Sequence, residues 1–528
     1  MGLSVVFSLV AGSLNQQFPK IYAHPLDYIC IIWYNKSIEN PMRKGGKHMP
    51  ETAKKTTNKY ARLLTNTAVF TVGKLLSKLL TFFMIGLYTA FMTEAEFGTA
   101  ELITGIANLL IPLACVGISE GIFRSAAARD GDKEAFFTNG LLVYGVGSVV
   151  FLCLIPLMTL IPRFADSVWL IAAYVVVANL HTVVSQYLCA IGRTKLFAGQ
   201  GILNTALVIG FNILFLPVLD FGVTGYVCST ILADLLTTVF LILVTRLWRA
   251  VKPRSISRQT VASMLKFCLP LVPTTIFWWI TGVSDRYMVD MMCSPEMNGL
   301  YTAAYKIPNL LIYAISIFDS AWKLSVSAEE DPEACAAFYS RVWRVYTTLA
   351  FLGGGCLILG SRLLAGILFA GDFVEAWVYI PTLTFATVFT ALCTFLGSVY
   401  FASKKTMGSM LTALAGAVLN VALNLLLIPS FGAMGASVAT FASYFAVCLL
   451  RLVTGRRLIP FKGEWGRLAV NTLLMGGLTA VVTLSEGGVL PVLLMYGVAA
   501  GIFLLMLVFN AKAVLELARD GKRMLRGR

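Results

Sequence analysis

Apolar residues run almost unbroken from Leu63 to Met92 and then recur in long blocks as far as residue 510, separated by short polar connections. A helix crosses the hydrocarbon core of a bilayer with about 20 residues. Cutting the blocks at breaker residues gives fourteen candidate spans: 63–92, 99–123, 136–161, 167–190, 196–219, 222–245, 267–291, 300–322, 342–361, 376–401, 407–429, 432–450, 468–485 and 488–510. The pattern predicts an all-α polytopic membrane protein with no sizeable soluble domain on either side. Composition agrees, with 58% hydrophobic residues, 13% charged residues and a mean hydropathy of +0.78, outside the range of ordinary soluble domains.

The net charge of +15 would suggest nucleic acid in a soluble chain, but here the basic residues sit in connections beside apolar blocks and report topology instead. With both termini on one side, 36 of the 42 Lys and Arg fall on that side, and only Arg163 and Arg362 on the other. Both termini are therefore expected in the cytoplasm and the protein in the bacterial cytoplasmic membrane. The 11 cysteines contain no CxxC pair and mostly lie inside apolar blocks, so neither disulfide framework nor metal site is expected. No GxxxxGK[ST] loop is present, which argues against ATP hydrolysis on this chain. No cofactor is implied. Any work done across the membrane would draw on an ion gradient, the membrane potential or mass action.

The spans repeat. Ile106-Ala-Asn108-Leu-Leu-Ile111 recurs as Ile307-Pro-Asn309-Leu-Leu-Ile312, and Gly98 falls on Gly299 at the same offset. Asn212 with Pro217 matches Asn424 with Pro429, and Phe221-Gly222 with Gly225 matches Phe431-Gly432 with Gly435. Two six-helix lobes of like orientation, related by a pseudo-two-fold axis along the membrane normal, are expected. The chain then divides into an N-terminal extension 1–62, an N-lobe 63–248, a cytoplasmic linker 249–266, a C-lobe 267–453, two further helices within 466–510 and a basic tail 511–528. Residues 1–48 do not match the rest of the chain, and Lys44-Gly-Gly before Met49 suits a purine-rich ribosome-binding site. Translation from Met49 is the favoured reading, with a signal peptide the less favoured one for want of a basic n-region.

Leu87-Tyr-Thr, Glu94-Ala-Glu96-Phe-Gly98 and Leu427-Ile-Pro429-Ser-Phe-Gly432-Ala-Met-Gly435 resemble the polysaccharide-biosynthesis flippases. These belong to the multidrug/oligosaccharidyl-lipid/polysaccharide exporter (MOP) superfamily and are related to the lipid II flippase and stage V sporulation protein B. The resemblance covers about residues 60 to 510. It implies two lobes around a central cavity, alternating access, and transfer of an undecaprenyl-pyrophosphate-linked glycan between leaflets. Fourteen spans look more like the lipid II branch, where family precedent has the last two helices hold the lipid tail. Partners implied are a lipid-linked glycan, membrane lipids, H+ or Na+ as a coupling ion, and a polysaccharide polymerase or assembly protein; nucleic acid is not among them.

Four cations within the spans carry the substrate-binding expectation: Lys74, Lys78, Arg286 and Lys306. Each lysine at mid-bilayer depth costs roughly 2.5–3.5 kcal/mol on insertion scales, which an anionic pyrophosphate in a low-dielectric cavity would offset. The plainer readings are snorkelling for the lysines and a structural ion pair of Arg286 with Asp290 or with neighbouring acids. Asp234 and Asp285 are candidates for ion coupling, although a hydrogen-bonded structural aspartate fits Asp234 as well. Pro112, Pro270, Pro273 and Pro308 are candidate hinges, because proline removes a helix hydrogen bond. Two other functions fit less well. A cation-coupled multidrug or metabolite exporter would not need buried cations, and a membrane polysaccharide polymerase or ligase would need catalytic residues in long external loops. Peptide mapping of the native protein is expected to recover nothing from residues 1 to 40; one peptide from that stretch overturns the Met49 start.

Overall fold

The structure is a computed structural model whose described residues are 78–127, 132–326, 332–403, 405–484 and 492–526. Among them there are helices and no strand. In chain order these are α1 (Ile85–Phe91, continuing a helical stretch from Lys78), α2 (Glu94–Ala114), α3 (Ile118–Ala127), α4 (Lys133–Leu154), α5 (Val168–Ala190), α6 (Thr194–Ile213), α7 (Gly222–Thr245) and α8 (Arg258–Cys268). The second half continues with α9 (Leu271–Met292), α10 (Pro295–Val326), α11 (Pro332–Leu359), α12 (Ser361–Leu368), α13 (Ile380–Ala402), α14 (Thr406–Leu458), α15 (Trp465–Leu484) and α16 (Val492–Arg526).

Eleven of the described helical segments are long and apolar enough to cross a membrane. One of them, α14, breaks at Gly432 and so contains both the eleventh and twelfth expected spans. The eighth expected span is α10, 32 residues long, and only the second half of the first expected span lies among the described residues. Large apolar side chains on these helices stand exposed, Leu473 at 75% and Val508 at 72% among them. Such surfaces suit lipid and would be a liability in water.

Breaker residues act at places the sequence shows and at places it does not. Gly222 and Gly432, the matched glycines of the two Phe-Gly motifs, both take left-handed φ, 48° and 57°, and each turns the chain into the last helix of its lobe. Glycine adopts that backbone at little cost. The kink expected at Pro112 lies further along: α2 ends at Ala114, and the chain turns through Val116 and Gly117, with φ of 51° and 60°. The Ile111 carbonyl near this break accepts a hydrogen bond from Asn179 Nδ2 at 3.1 Å. The seventh expected span breaks at Leu269–Pro270, between the end of α8 at Cys268 and the start of α9 at Leu271, as the proline there leads one to expect. Pro270 precedes α9 and Pro273 sits in its first turn, where a missing N–H costs little. Pro308 stays inside unbroken α10.

The linker is not a loose connection. Asn139 on α4 donates to Ser255 O at 3.0 Å and accepts from Ser257 N at 2.9 Å, pinning the segment that leads into α8. Cys268 and Met264 of α8 then pack on Gly121 and Gly140 of the N-lobe. At the other end, α15 and α16 dock on α11 through buried polar groups. Asn510 Nδ2 donates to Asn471 Oδ1 at 2.6 Å, while Arg467 Nη2 reaches Asn510 Oδ1 at 2.9 Å and Thr348 Oγ1 at 2.7 Å. The last two helices are thus fastened to the C-lobe.

Two cores lie within the N-lobe, around Val175 and Ile171 and around Tyr187 and Phe137, and a third within the C-lobe around Phe389, Phe395 and Trp343. A fourth mixes the halves, joining Tyr88 and Phe97 to Tyr301, Ile307 and Phe373. The lobes touch most closely at Gly98 and Gly299. A Cβ on Gly299 would lie 2.0 Å from Glu94 O, and one on Gly98 would lie 2.8 Å from Pro295 O and 2.9 Å from Gly299 N. Repeat-equivalent residues can meet only at the axis that relates the repeats, so this pair marks that axis. Gly299→Ala is expected to destabilise the present arrangement by about 1–3 kcal/mol, read as a lower midpoint in thermal unfolding of the solubilised protein. Gly145→Ala, where a Cβ meets nothing within 4 Å, should leave the midpoint in place.

Candidate functional site at the lobe interface

The site grows from the start of α2. Thr93 caps it in a capping box: Thr93 Oγ1 accepts from Glu96 N at 3.3 Å, and Glu96 Oε2 accepts from Thr93 N at 2.9 Å. This fixes the first turn, and Gly98 lets α10 approach. Glu101, one turn after Gly98's neighbour Phe97, therefore presents its carboxylate to the C-lobe. Glu101 Oε1 accepts from Lys306 Nζ of α10 at 2.9 Å and from the Tyr226 hydroxyl of α7 at 2.5 Å. Glu101 Oε2 lies 3.6 Å from Arg286 Nη1 of α9. Glu101 is a buried residue at 9% exposure.

Of the four sequence-predicted cations, the structure brings Arg286 and Lys306 together, both from the C-lobe and both turned inward. Arg286 lies over the Tyr305 ring at 5.0 Å, and Lys306 over the Phe97 ring at 5.7 Å. Among the described residues the two share a single carboxylate. The Nε of Arg286 is buried with no hydrogen-bond partner. Lys78 is exposed, its ammonium 5.4 Å from the Tyr313 ring. Tyr313 stands seven residues beyond Lys306 on α10, two turns along one face and about 10 Å away, so Lys78 approaches the face of α10 that bears Lys306. Lys74 lies outside the described residues.

Arg286 does not pair with Asp290. That carboxylate belongs to Arg163, which reaches it from the connection between α4 and α5 with Nε–Oδ2 and Nη2–Oδ1 both at 2.7 Å. Arg163 Nη2 also donates to Thr99 Oγ1 at 2.9 Å. Two further bonds cross from α9 to the backbone of α2: Tyr287 hydroxyl to Leu102 O at 2.6 Å and Trp279 Nε1 to Gly105 O at 2.9 Å. These bonds cross between the lobes along α2 from Thr99 to Gly105, with the Arg163–Asp290 pair at one end.

The two candidate coupling acids lie apart from each other. Asp285 is fully buried and accepts four hydrogen bonds, from Tyr301, Tyr305, Thr440 and the Arg286 N–H. It binds α9, α10 and α14 into one unit. Asp234 sits within the N-lobe and accepts from Asn204 Nδ2 at 2.7 Å; Thr238, which donates to the Asp234 carbonyl, contacts His181 Nδ1 at 3.2 Å. The site residues missed from the sequence are Glu101 and Arg163. A lone glutamate inside an apolar block signals a buried function, but nothing in the sequence pairs it with cations about 200 positions away.

These features define the class: a two-lobed, all-helical protein with membrane-spanning helices and a charged interface between the lobes. Residues 63–322 match the family model of the polysaccharide biosynthesis proteins, 260 of the 528 residues, which bears out the resemblance carried by the sequence motifs. Among solved structures, the lipid II flippase MurJ in its inward closed conformation superposes with a TM-score of 0.64 at 13% identity, covering 85% of this chain and 99% of that one. An inward-facing multidrug MATE transporter of the MOP superfamily gives 0.62 at 16% identity, with 72% and 94% covered. A MOP transporter from Pyrococcus furiosus, described as having a binding pocket of reverse polarity, gives 0.58 at 15% identity, with 75% and 96% covered. No curated protein matches the sequence. The chain shares its fold with these solved structures.

Asp290 is buried while Arg163 is about a third exposed, so Arg163→Gln strands an unpaired carboxylate. A loss of about 2–3 kcal/mol is expected, below the range for a fully buried pair. A double-mutant cycle with Asp290→Asn should recover most of that loss; additive losses would deny the pairing.

Proposed function

We infer that the protein is a flippase for a lipid-linked cell-envelope precursor whose headgroup carries a pyrophosphate. The observation that carries this reading is the meeting of Arg286 and Lys306 at the lobe interface on one shared carboxylate, with the Arg286 Nε donor unfilled. Such a site suits an anion, because cation–phosphate contacts strengthen where water is excluded. Lys78, on the same face of α10, supports a path for the headgroup from the cytoplasmic side, with the lipid tail left in the bilayer. The positive-inside bias supports a cytoplasmic-membrane protein with both termini inside and the Arg163 face outward. Alternating access then requires that face to part. Undecaprenyl pyrophosphate is the carrier that the family resemblance suggests. Asp234, which holds one side-chain hydrogen bond in the N-lobe, is the better placed of the two acids to exchange H+ or Na+. A cation exporter of the same superfamily is disfavoured by the basic character of the interface.

Depletion of the protein is expected to accumulate one lipid-linked precursor on the cytoplasmic leaflet, identified by mass spectrometry and leaflet-selective labelling. Neutralising Lys78 and Arg286 together, as Lys78→Gln with Arg286→Gln, should reproduce that accumulation and lower transport at least about tenfold. Lys195→Gln, an exposed residue away from the interface, should not. Normal transport by the double variant would refute the cationic site.

A further inference from the structure

Among the described residues, Glu101 supplies the carboxylate that faces both Lys306 and Arg286. Its carboxylate occupies Lys306 at 2.9 Å and stands 3.6 Å from Arg286, too long for a hydrogen bond. Tyr226, which donates to the same oxygen at 2.5 Å, is on α7 of the N-lobe, as Glu101 is on α2. The carboxylate therefore belongs to one lobe and both cations to the other. The Nε of Arg286 remains buried and unfilled.

We propose that Glu101 is a resident competitor of the substrate: its carboxylate holds Lys306 while the site is empty and yields it to the substrate's pyrophosphate, which also fills the Arg286 Nε. This rests on the pyrophosphate reading above and adds its consequence for the cycle. While Glu101 bridges to Lys306, the charge pair ties the N-lobe to the C-lobe beside the Gly98–Gly299 contact. When phosphate oxygens take Lys306, Glu101 keeps its bond from Tyr226 and swings with the N-lobe. The cross-lobe link is lost, and the lobes separate more readily at the Arg163 face. No covalent bond changes in this exchange. A ligand shifts such an equilibrium only through its differential contacts with the two states, and the exchange of counter-ion is that difference.

The test uses the full chain in lipid nanodiscs with farnesyl pyrophosphate as probe. Nitroxide-bearing residues replace Leu160 and Met291, which are 78% and 81% exposed on opposite lobes at the Arg163 face. Glu101→Gln is expected to bind the probe about tenfold more tightly than the parent, because the site is no longer occupied by its own carboxylate. Glu101→Asp, with the charge kept but one methylene shorter, should fall between the two and guards against misfolding of the first variant. Probe should lengthen the Leu160–Met291 distance in the parent, and the longer distance should be present in Glu101→Gln without probe. Equal or weaker binding by both Glu101 variants, with binding still lost in Arg286→Gln and Lys306→Gln, overturns the competitor and leaves the pyrophosphate site standing. Unchanged binding in Arg286→Gln and Lys306→Gln overturns the pyrophosphate site itself. Tighter binding with no change in distance overturns the link between exchange and lobe separation.

Discussion

A charge inside a bilayer must be paired or hydrogen-bonded, and at this interface the ion pairs cross between lobes. Arg286 and Lys306 rest on Glu101, and Asp290 rests on Arg163. Each pair has one member in each half of the chain. An unpaired ion at this depth would cost several kcal/mol, so the lobes can part only if another ion or water takes the vacated place. The arrangement makes separation conditional on what enters the interface. An apolar contact between the same helices would impose no such condition.

The rest of the fold serves that geometry. The Thr93–Glu96 capping box and the glycine contact at Gly98 and Gly299 set α2 against α10 closely enough for a glutamate to reach a lysine directly. Asp285 welds α9, α10 and α14 together, so that Arg286 and Lys306 move as one body. Asn139 and the Ser255–Ser257 segment hold the linker on the N-lobe, and the Asn471–Asn510 pair holds α15 and α16 on the C-lobe. Two stiff bodies with a few exchangeable contacts suit a rigid-body rocking motion.

Much of this was legible in the sequence because it follows from local pattern. Span lengths and the duplicated Phe-Gly motifs each depend on a few neighbouring residues, and the matched Gly222 and Gly432 both take positive φ. The Gly98–Gly299 match was visible as an offset, but its meaning as a contact was not, since a repeat does not say which residues lie on its axis. Partners were the illegible part. Asp290 follows Arg286 by four residues on the same helix, the ordinary spacing for a pair, yet Arg163 takes it from the other lobe. The prolines were legible in part: the chain breaks at Leu269–Pro270 as expected, whereas Pro273 falls in the first turn of α9 and Pro308 inside unbroken α10, where neither ends a helix.

The number of cations matters less than how they are divided. Had Lys306 and its carboxylate both belonged to one lobe, the pair would be a structural feature, indifferent to the motion of the other lobe, and an anion binding there would gain nothing from separation. Because the acid comes from α2 and the bases from α9 and α10, any anion that wins the bases also frees the acid's lobe. The repeat supports this asymmetry: at the 201-residue offset, Glu101 corresponds to Thr302 and Lys306 to Gly105. Duplication alone would have produced the same charge on both sides, and like charges across the axis would repel. The divergence of these two positions turns a symmetric scaffold into an interface that closes on its own counter-ion.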